Sequence, residues 1–393
     1  MIHDAIIVGA GPAGGTAAYN LAKAGMKPLV LDKYVFPRYK ACGGFISNKI
    51  LKALDFDVTD MIEKNVYSCG LTYKSANGFK ILMEESIGAL ISRDRFDNFL
   101  MEKAKIVGAS FLQGERVIDF KKEEDLYKVF TDKGQYRCRY LIGADGANSI
   151  IRKKSRLAHK IKRFFTLTAE FALSGKVRDR TEDTAWFDLG DVPYGYGWVF
   201  PKAKHLTVGF GLFYGEDKRR KKDPKIYMHE LHQKNKMISD LKMGRMRGCF
   251  ISTLTDERSN ICGKGLFLAG EAAGLVDPFS GEGIYYAVAS SKILSELIIN
   301  NFDNESYISE NYKNKIKEEI LKEFKVASRL AKIIYTFPKL SFQILNEYKH
   351  LANYYYHLLS GNVSYQDLYD RLIDKVKKKI KNGLKSVITM GRG

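Results

Sequence analysis

The chain has 393 residues, 45% of them hydrophobic, which is enough for two or three domains with their own cores. It holds no run of about eighteen apolar residues, which excludes a spanning helix, and its five cysteines (Cys42, Cys69, Cys138, Cys249, Cys262) form no CxxC pair, which argues against a metal site or a disulfide framework. A formal charge of +19 suits an anionic lipid surface or a phosphorylated substrate, nonspecific nucleic acid, or a solvated lysine-rich face; no nucleic-acid module accompanies it.

Residues 1–35 read β-α-β. Ile6-Ile7-Val8-Gly9-Ala10-Gly11-Pro12-Ala13-Gly14 is G-x-G-x-x-G directly after an apolar run. Pro28-Leu29-Val30-Leu31-Asp32 supplies a second strand ending in an acid. This pattern binds the pyrophosphate and ribose of a dinucleotide. Gly9 permits the tight turn, Gly11 lets the backbone approach the pyrophosphate, and Gly14 lets the helix pack on the strand. The phosphates then face backbone N–H groups at a helix start. Asp32 can accept from the ribose hydroxyls, which argues against a 2′-phosphate and does not separate NAD from FAD. An apolar strand at the start leads us to expect no signal peptide and a cytoplasmic protein.

A loop with Pro37, Cys42, Gly43 and Gly44 opens 36–60, which then turns helical. Gly70-Leu71-Thr72-Tyr73 and Phe79-Lys80-Ile81-Leu82-Met83 alternate as strands do. Arg93 to Ala104 reads as a helix, with Phe96, Phe99 and Leu100 at helical spacing. Strand-like pieces at 115–120, 126–131 and 135–142 lead to Gly143-Ala144-Asp145-Gly146. The stretch 163–212 is aromatic and strand-rich and predicts a separate antiparallel sheet; 221–246 reads as helical and charged. An apolar strand at 262–269 ends in Gly270-Glu271-Ala272-Ala273-Gly274, and a helix follows from Gly283 to Asn300. The remaining chain is mostly helical, with apolar clusters at Ile333 to Phe337 and Tyr354 to Leu359. Basic clusters stand at Lys218 to Lys225 and Lys375 to Lys381. In the tail, Leu372 to Ile388, the residues Leu372, Ile373, Val376 and Ile380 can share a face. That is the pattern of a basic amphipathic helix on an anionic membrane, or of a terminal helix packed on the body with a solvated lysine face.

The order of the motifs fits one dinucleotide threaded through the domain. Glu271 falls near the ribityl and pyrophosphate region, and the helix after Gly283 can aim its positive end at a flavin pyrimidine edge.

Four segments resemble the geranylgeranyl reductase family (digeranylgeranylglycerophospholipid reductase-like) within the p-hydroxybenzoate hydroxylase flavoprotein superfamily. They are Phe36-Pro37-Arg38-Tyr39-Lys40-Ala41-Cys42-Gly43-Gly44, like P-x-x-K-x-C-G-G; Leu141-Ile142-Gly143-Ala144-Asp145-Gly146-Ala147-Asn148-Ser149, like the Asp-Gly motif; Leu268 to Gly274 through Asp277-Pro278 to Gly281-Glu282-Gly283-Ile284; and Tyr196-Gly197-Trp198-Val199-Phe200-Pro201, like Y-x-W-x-F-P. The similarity spans roughly residues 1–300. Glu271 stands where the superfamily usually has Asp, and Glu282 where the reductases often have glycine; its side chain would come close to the flavin ring.

The resemblance implies a fold of α/β plus α+β type: a Rossmann-type FAD-binding domain (1–70, 90–160 and 258–300), an inserted antiparallel-sheet substrate domain (71–89 and 161–257), and a helical C-terminal region (301–393). It implies FAD as cofactor, reduced by NAD(P)H or by a ferredoxin. The implied activity is reduction of carbon–carbon double bonds in geranylgeranyl chains on a lipid, a diphosphate or a quinone. The implied cofactor residues are Gly9, Gly11, Pro12, Ala13, Gly14, Asp32, Lys33, Cys42, Gly43, Gly44, Arg93, Val117, Asp145, Gly270, Glu271, Gly281, Gly283 and Ile284. Cys42, Tyr196 and Trp198 are the implied catalytic set. Arg38, Lys40, Tyr196, Trp198 and Phe200 are implied for substrate, with no metal. Asp145 organises a turn rather than touching reacting atoms, and His205 is a weaker proton-donor candidate at a strand edge. The implied partners are a prenyl-lipid substrate, an anionic membrane surface on the inner face of the cell membrane, and an acidic ferredoxin steered by the basic surface. Three rivals stand beside this reading. They are an aromatic monooxygenase; a flavin-dependent halogenase, whose Trp-x-Ile-Pro is echoed by Trp198-Val199-Phe200-Pro201 although its first tryptophan is Tyr196 here; and an electron-transfer flavoprotein.

Overall fold

The computed structural model describes residues 1–158, 160–173, 183–213 and 222–390, with side chains except at 352 and 378–390. The strand Ile2–Val8 runs parallel to Pro28–Asp32 on one side and Gln135–Gly143 on the other, with Ile6 opposite both Leu29 and Leu141. Ser110–Gln113 and Leu266–Leu268 extend this parallel core. Continuous apolar runs such as Ile6–Val8 are what strands covered on both faces require. An antiparallel meander, Val117–Glu123 and Leu126–Thr131, joins Gln135–Gly143, and Cys262–Gly263 closes the far edge, making eight strands among the described residues. The helices Pro12–Lys23, Arg93–Ile106 and Ile284–Asn300 pack on one another beside this sheet. Their closeness depends on Gly15, where a β-carbon would stand 2.9 Å from Leu100 Cβ. The chain leaves Ile2–Val8 for one side and fills the other side much later. The crevice at the C-terminal end of that strand is therefore the switch point where such sheets bind ligands.

A second sheet has seven described strands in the order Arg247–Leu254, Ile161–Ala172, His205–Leu212, Gly195–Pro201, Thr184–Leu189, Ser68–Tyr73, Gly78–Leu82. Every neighbouring pair is antiparallel except Thr184–Leu189 with Ser68–Tyr73, which is parallel. The expected antiparallel sheet is present, with one parallel seam. That seam joins two separate passes of the chain, where no hairpin fixes direction. The first pass enters this sheet at Ser68, slightly earlier than expected. A small antiparallel sheet is made by Phe45–Ser47, Gly88–Ile91 and Ile62–Val66 in that order.

Within 221–246 the helix is shorter than the charge pattern suggested, covering Pro224–Lys234. Asp223 caps its start, and past its end Asn235 accepts from the Met237 N–H, turning the chain. Lys218 to Lys221 of the basic cluster lie outside the described residues. The C-terminal helices Glu305–Ile316, Lys322–Thr336, Pro338–Glu347, Lys349–Leu359 and Tyr365–Met390 follow, the first two joined by a π-helical turn at Lys317–Leu321. Leu368 and Leu372 are buried against the body and Val376 partly so; the side chains of Lys378 to Ile388 lie outside the described set. No helix among the described residues is long and apolar enough to cross a membrane.

Candidate functional site

The crevice opens where the first strand ends. Gly9 has φ +103°, and a β-carbon on it would stand 2.5 Å from the Ala144 carbonyl oxygen. On Gly14 a β-carbon would stand 1.8 Å from the Gly9 oxygen, so helix and turn cannot both be kept with any larger residue. A β-carbon on Gly11 would meet, among the described residues, only Arg38 Nη2 at 3.9 Å, leaving room on the crevice side. The helix Pro12–Lys23 starts with no acidic residue in its first turn and no side-chain cap, so its positive end faces the crevice. Asp32 accepts from the Ala10 and Tyr34 N–H groups at 2.8 and 2.9 Å. It lines the crevice with lone pairs to spare.

Two guanidiniums converge beside this turn on Asp97, which is fully buried. Arg93 donates to it from Nε and Nη2, each at 2.8 Å, and Arg38 pairs with it at 2.9 Å. Burial opposes the charge of Arg93, but Asp97 and Cys42 more than offset this and raise its pKa. Arg38 Nη1 is buried and has no partner among the described residues. Lys40 pairs with Glu271 at 3.3 Å, while Glu271 Oε1 is buried without a partner among the described residues. The Asp145 carboxylate caps the next helix by accepting from the Ile150 N–H at 2.6 Å, and burial raises its pKa.

From here one cavity of about 790 Å³ continues past the Cys42 loop to an aromatic end. Gly44 N–H donates to Cys42 Sγ at 3.3 Å. A β-carbon on Gly43 would stand 2.9 Å from the Phe200 ring and 3.2 Å from Trp198 Nε1, so the loop lies flat against both rings. Tyr196 stacks on Phe213 at 5.3 Å and donates its hydroxyl proton to the Ser280 carbonyl. Glu282 does not point freely into the cavity. Ser47 donates to its Oε1, and Lys49, lying 4.4 Å over the Tyr285 ring, pairs with Oε2 at 3.3 Å. The far wall comes from the C-terminal helices through Tyr355 and Leu359. Those helices are tied back by Tyr365, whose hydroxyl donates to the buried Asp277 at 2.7 Å. Asp277 also accepts from the Phe279 and Ser280 N–H groups at 2.7 and 2.8 Å, and burial raises its pKa.

Of the cofactor residues expected from sequence, Gly14 and Gly270 alone do not line this cavity. Both act one layer behind it. A β-carbon on Gly270 would stand 3.0 Å from Ala13 Cβ, so the first and third motifs meet there. Arg38, Lys40, Tyr196, Trp198 and Phe200 all line the cavity, but Arg38 stands at the Gly11 end, away from the aromatic wall. His205 does not line it. Tyr355 and Leu359 were not foreseen; their four-residue spacing within an apolar helix is the signal that was there to read.

The two ends fit FAD. An open helix start and an unpaired guanidinium nitrogen suit a pyrophosphate, the unpaired Glu271 oxygen suits a sugar or ribityl hydroxyl, and the flat Gly43 loop leaves room for a ring. Residues 3–302 match the model of the FAD binding domain family. The chain is 31% identical over 75% of its length to the geranylgeranyl diphosphate reductase of Rhodobacter capsulatus, covering 75% of that protein. It is 26% identical to the digeranylgeranylglycerophospholipid reductase of Methanococcus vannielii, over 81% of this chain and 83% of that one. The crystal structure of a geranylgeranyl bacteriochlorophyll reductase-like protein from Thermoplasma acidophilum superposes with a TM-score of 0.76 at 21% identity, covering 95% of this chain and 99% of the other. With a dinucleotide turn, a guanidinium and a carboxylate along one cavity, the chain is an FAD-dependent oxidoreductase and belongs to the geranylgeranyl reductase family of FAD-binding-domain proteins.

Proposed function

We propose that this flavoprotein reduces isolated carbon–carbon double bonds in geranylgeranyl-type chains carried on a lipid, a diphosphate or a quinone. The observation that carries the reading is the continuity of the FAD crevice with an aromatic wall of Tyr196, Trp198, Phe200, Phe213 and Tyr355, with Cys42 at the joint. Such a wall suits an apolar polyene better than a charged or hydroxylated ring. The substrates named for the relatives from Rhodobacter capsulatus and Methanococcus vannielii support the same class.

When bound and reduced, FAD would provide the hydride for one alkene carbon. An isolated alkene is a poor electrophile, so a proton must reach the other carbon in step. Cys42 is the proton donor in this reading, its thiol lining the cavity where crevice and aromatic wall meet. The Tyr196 hydroxyl is committed to the Ser280 carbonyl, so Tyr196 shapes the wall rather than giving a proton. Trp198 and Phe200 hold the Gly43 loop flat and keep water from the reacting carbons. Arg38 serves the cofactor pyrophosphate rather than the substrate, and Lys40 holds Glu271. The basic tail gives the protein a route to an anionic membrane where prenyl lipids reside.

Product mass tests the reading. Turnover with geranylgeranyl diphosphate or an unsaturated ether lipid should add two hydrogens per double bond. Products carrying oxygen or halogen would instead identify a monooxygenase or a halogenase.

A further inference from the structure

A second titratable side chain lies behind the Cys42 loop, on the face away from the cavity. Lys202 follows the strand Gly195–Pro201 and closes a tight turn by donating its N–H to the His205 carbonyl at 2.8 Å. It is 5% exposed. Its ammonium makes no hydrogen bond or ion pair among the described residues. A lysine this deeply buried is costly to keep charged, so its presence calls for a reason. Its surroundings supply one. Gly44 has φ +82°, and a β-carbon there would meet Lys202 Nζ at 2.9 Å and the Ile91 carbonyl at 2.2 Å. The same Gly44 donates its N–H to Cys42 Sγ. The ammonium and the thiol therefore flank one glycine.

The titratable groups whose charges reach Lys202 are Glu63, Cys42, Glu170 and Asp94, with His205 across the turn. Burial lowers the pKa of Lys202, and the three carboxylates and Cys42 only partly oppose this. Burial and the neighbouring Lys202 also lower the pKa of His205, and its Nε2 is buried with no partner among the described residues. A lysine eased towards neutrality can give up a proton where an ordinary one does not.

Resting on the prenyl-reductase reading, we propose that Lys202, backed by His205, resupplies the proton that Cys42 delivers in each turnover. The hydride from reduced FAD forms one C–H bond, and the Cys42 S–H proton forms the other as the alkene π bond breaks. Two electrons pass from cofactor to substrate. Cys42 is left as a thiolate, Lys202 returns a proton to Sγ, and the neutral amine recovers its proton from water by way of the His205 imidazole. Lys202 is thus a positioning residue that acts through Cys42.

The test compares wild type, Lys202→Met and Lys202→Arg as FAD-loaded proteins. Each is reduced chemically without oxygen and mixed with geranylgeranyl diphosphate, and FAD reoxidation is followed across the neutral pH range. Lys202→Met should slow reoxidation by roughly a hundredfold and lose the alkaline decline of the wild type. Lys202→Arg, which keeps the charge but does not release a proton, should be as slow as Lys202→Met. Rescue by arginine, or an unchanged pH profile in Lys202→Met, would overturn the proposal. A second measurement needs no substrate: iodoacetamide labelling of Cys42, located by peptide mass, should slow several-fold in Lys202→Met, and an unchanged rate would refute the coupling across Gly44. Failure of the wild type itself to reoxidise would overturn the prenyl-reductase reading and the proton supply with it, while the labelling would still score the coupling of Lys202 to Cys42.

Discussion

Replacing Arg38 by methionine separates the two ends of the cavity. Its guanidinium shares Asp97 with Arg93 through Nη2, stacks on the Phe36 ring at 4.7 Å, and leaves Nη1 buried without a partner among the described residues. A buried donor in that state is satisfied when an anion arrives. A charge-assisted hydrogen bond to phosphate contributes about 1.5–3 kcal/mol. At about 1.4 kcal/mol per decade, Arg38→Met should weaken FAD binding roughly 10- to 150-fold. Methionine preserves most of the packing on Phe36, and Arg93 continues to neutralise Asp97, so the fold should survive. Titration of apoprotein with FAD by flavin fluorescence at fixed ionic strength reads the effect. An FAD Kd within twofold of wild type, with a raised KM for a prenyl diphosphate, would refute the assignment and return Arg38 to the substrate.

Three further outcomes are expected. Gly14→Ala puts a β-carbon 1.8 Å from the Gly9 oxygen, so the purified variant should lack FAD by its absorption spectrum; a fully yellow protein would contradict the account of this turn. Tyr365→Phe removes a hydrogen bond to the buried Asp277 and should cost about 1.5–3 kcal/mol in urea denaturation, whereas an unchanged midpoint would mean the C-terminal helices are held by apolar contacts alone. Burial, opposed by Thr72 and reinforced by Asp191, pushes the Asp188 carboxyl up to about 7. The folded state therefore binds this proton more tightly than the unfolded chain, and its contribution is complete at acid pH and lost as pH rises towards about 7. Asp188→Asn should flatten the fall in urea midpoint between mildly acid and mildly alkaline buffer; an identical fall in variant and wild type would assign the slope elsewhere.

The parts of this molecule that local rules dictate were legible in the chain. Gly9, Gly11 and Gly14 carry a turn that few other residues can make, and the parallel core follows from apolar runs with an acid at the right distance. The Tyr196 to Pro201 strand declared its aromatic face by alternation. What was not legible depends on contacts between distant segments. The parallel pairing of Thr184–Leu189 with Ser68–Tyr73 has no hairpin to announce it. Arg38 was expected at the substrate, and its pairing with Asp97 at the Gly11 end has no local sequence signature. Glu282 looked like a side chain against the flavin, but Ser47 and Lys49 hold its carboxylate. Lys202 sits one residue past a recognisable motif, yet only the fold brings its ammonium against Gly44.

The most direct measurement of the central claim is stoichiometric. The FAD-loaded protein is photoreduced without oxygen and mixed with limiting geranylgeranyl diphosphate or unsaturated ether lipid, and absorbance and product mass are read together. One FAD reoxidised for each double bond saturated, with the matching mass gain, is the predicted result. A flavin that stays reduced with every prenyl substrate, and reoxidises only when oxygen is admitted, would contradict it.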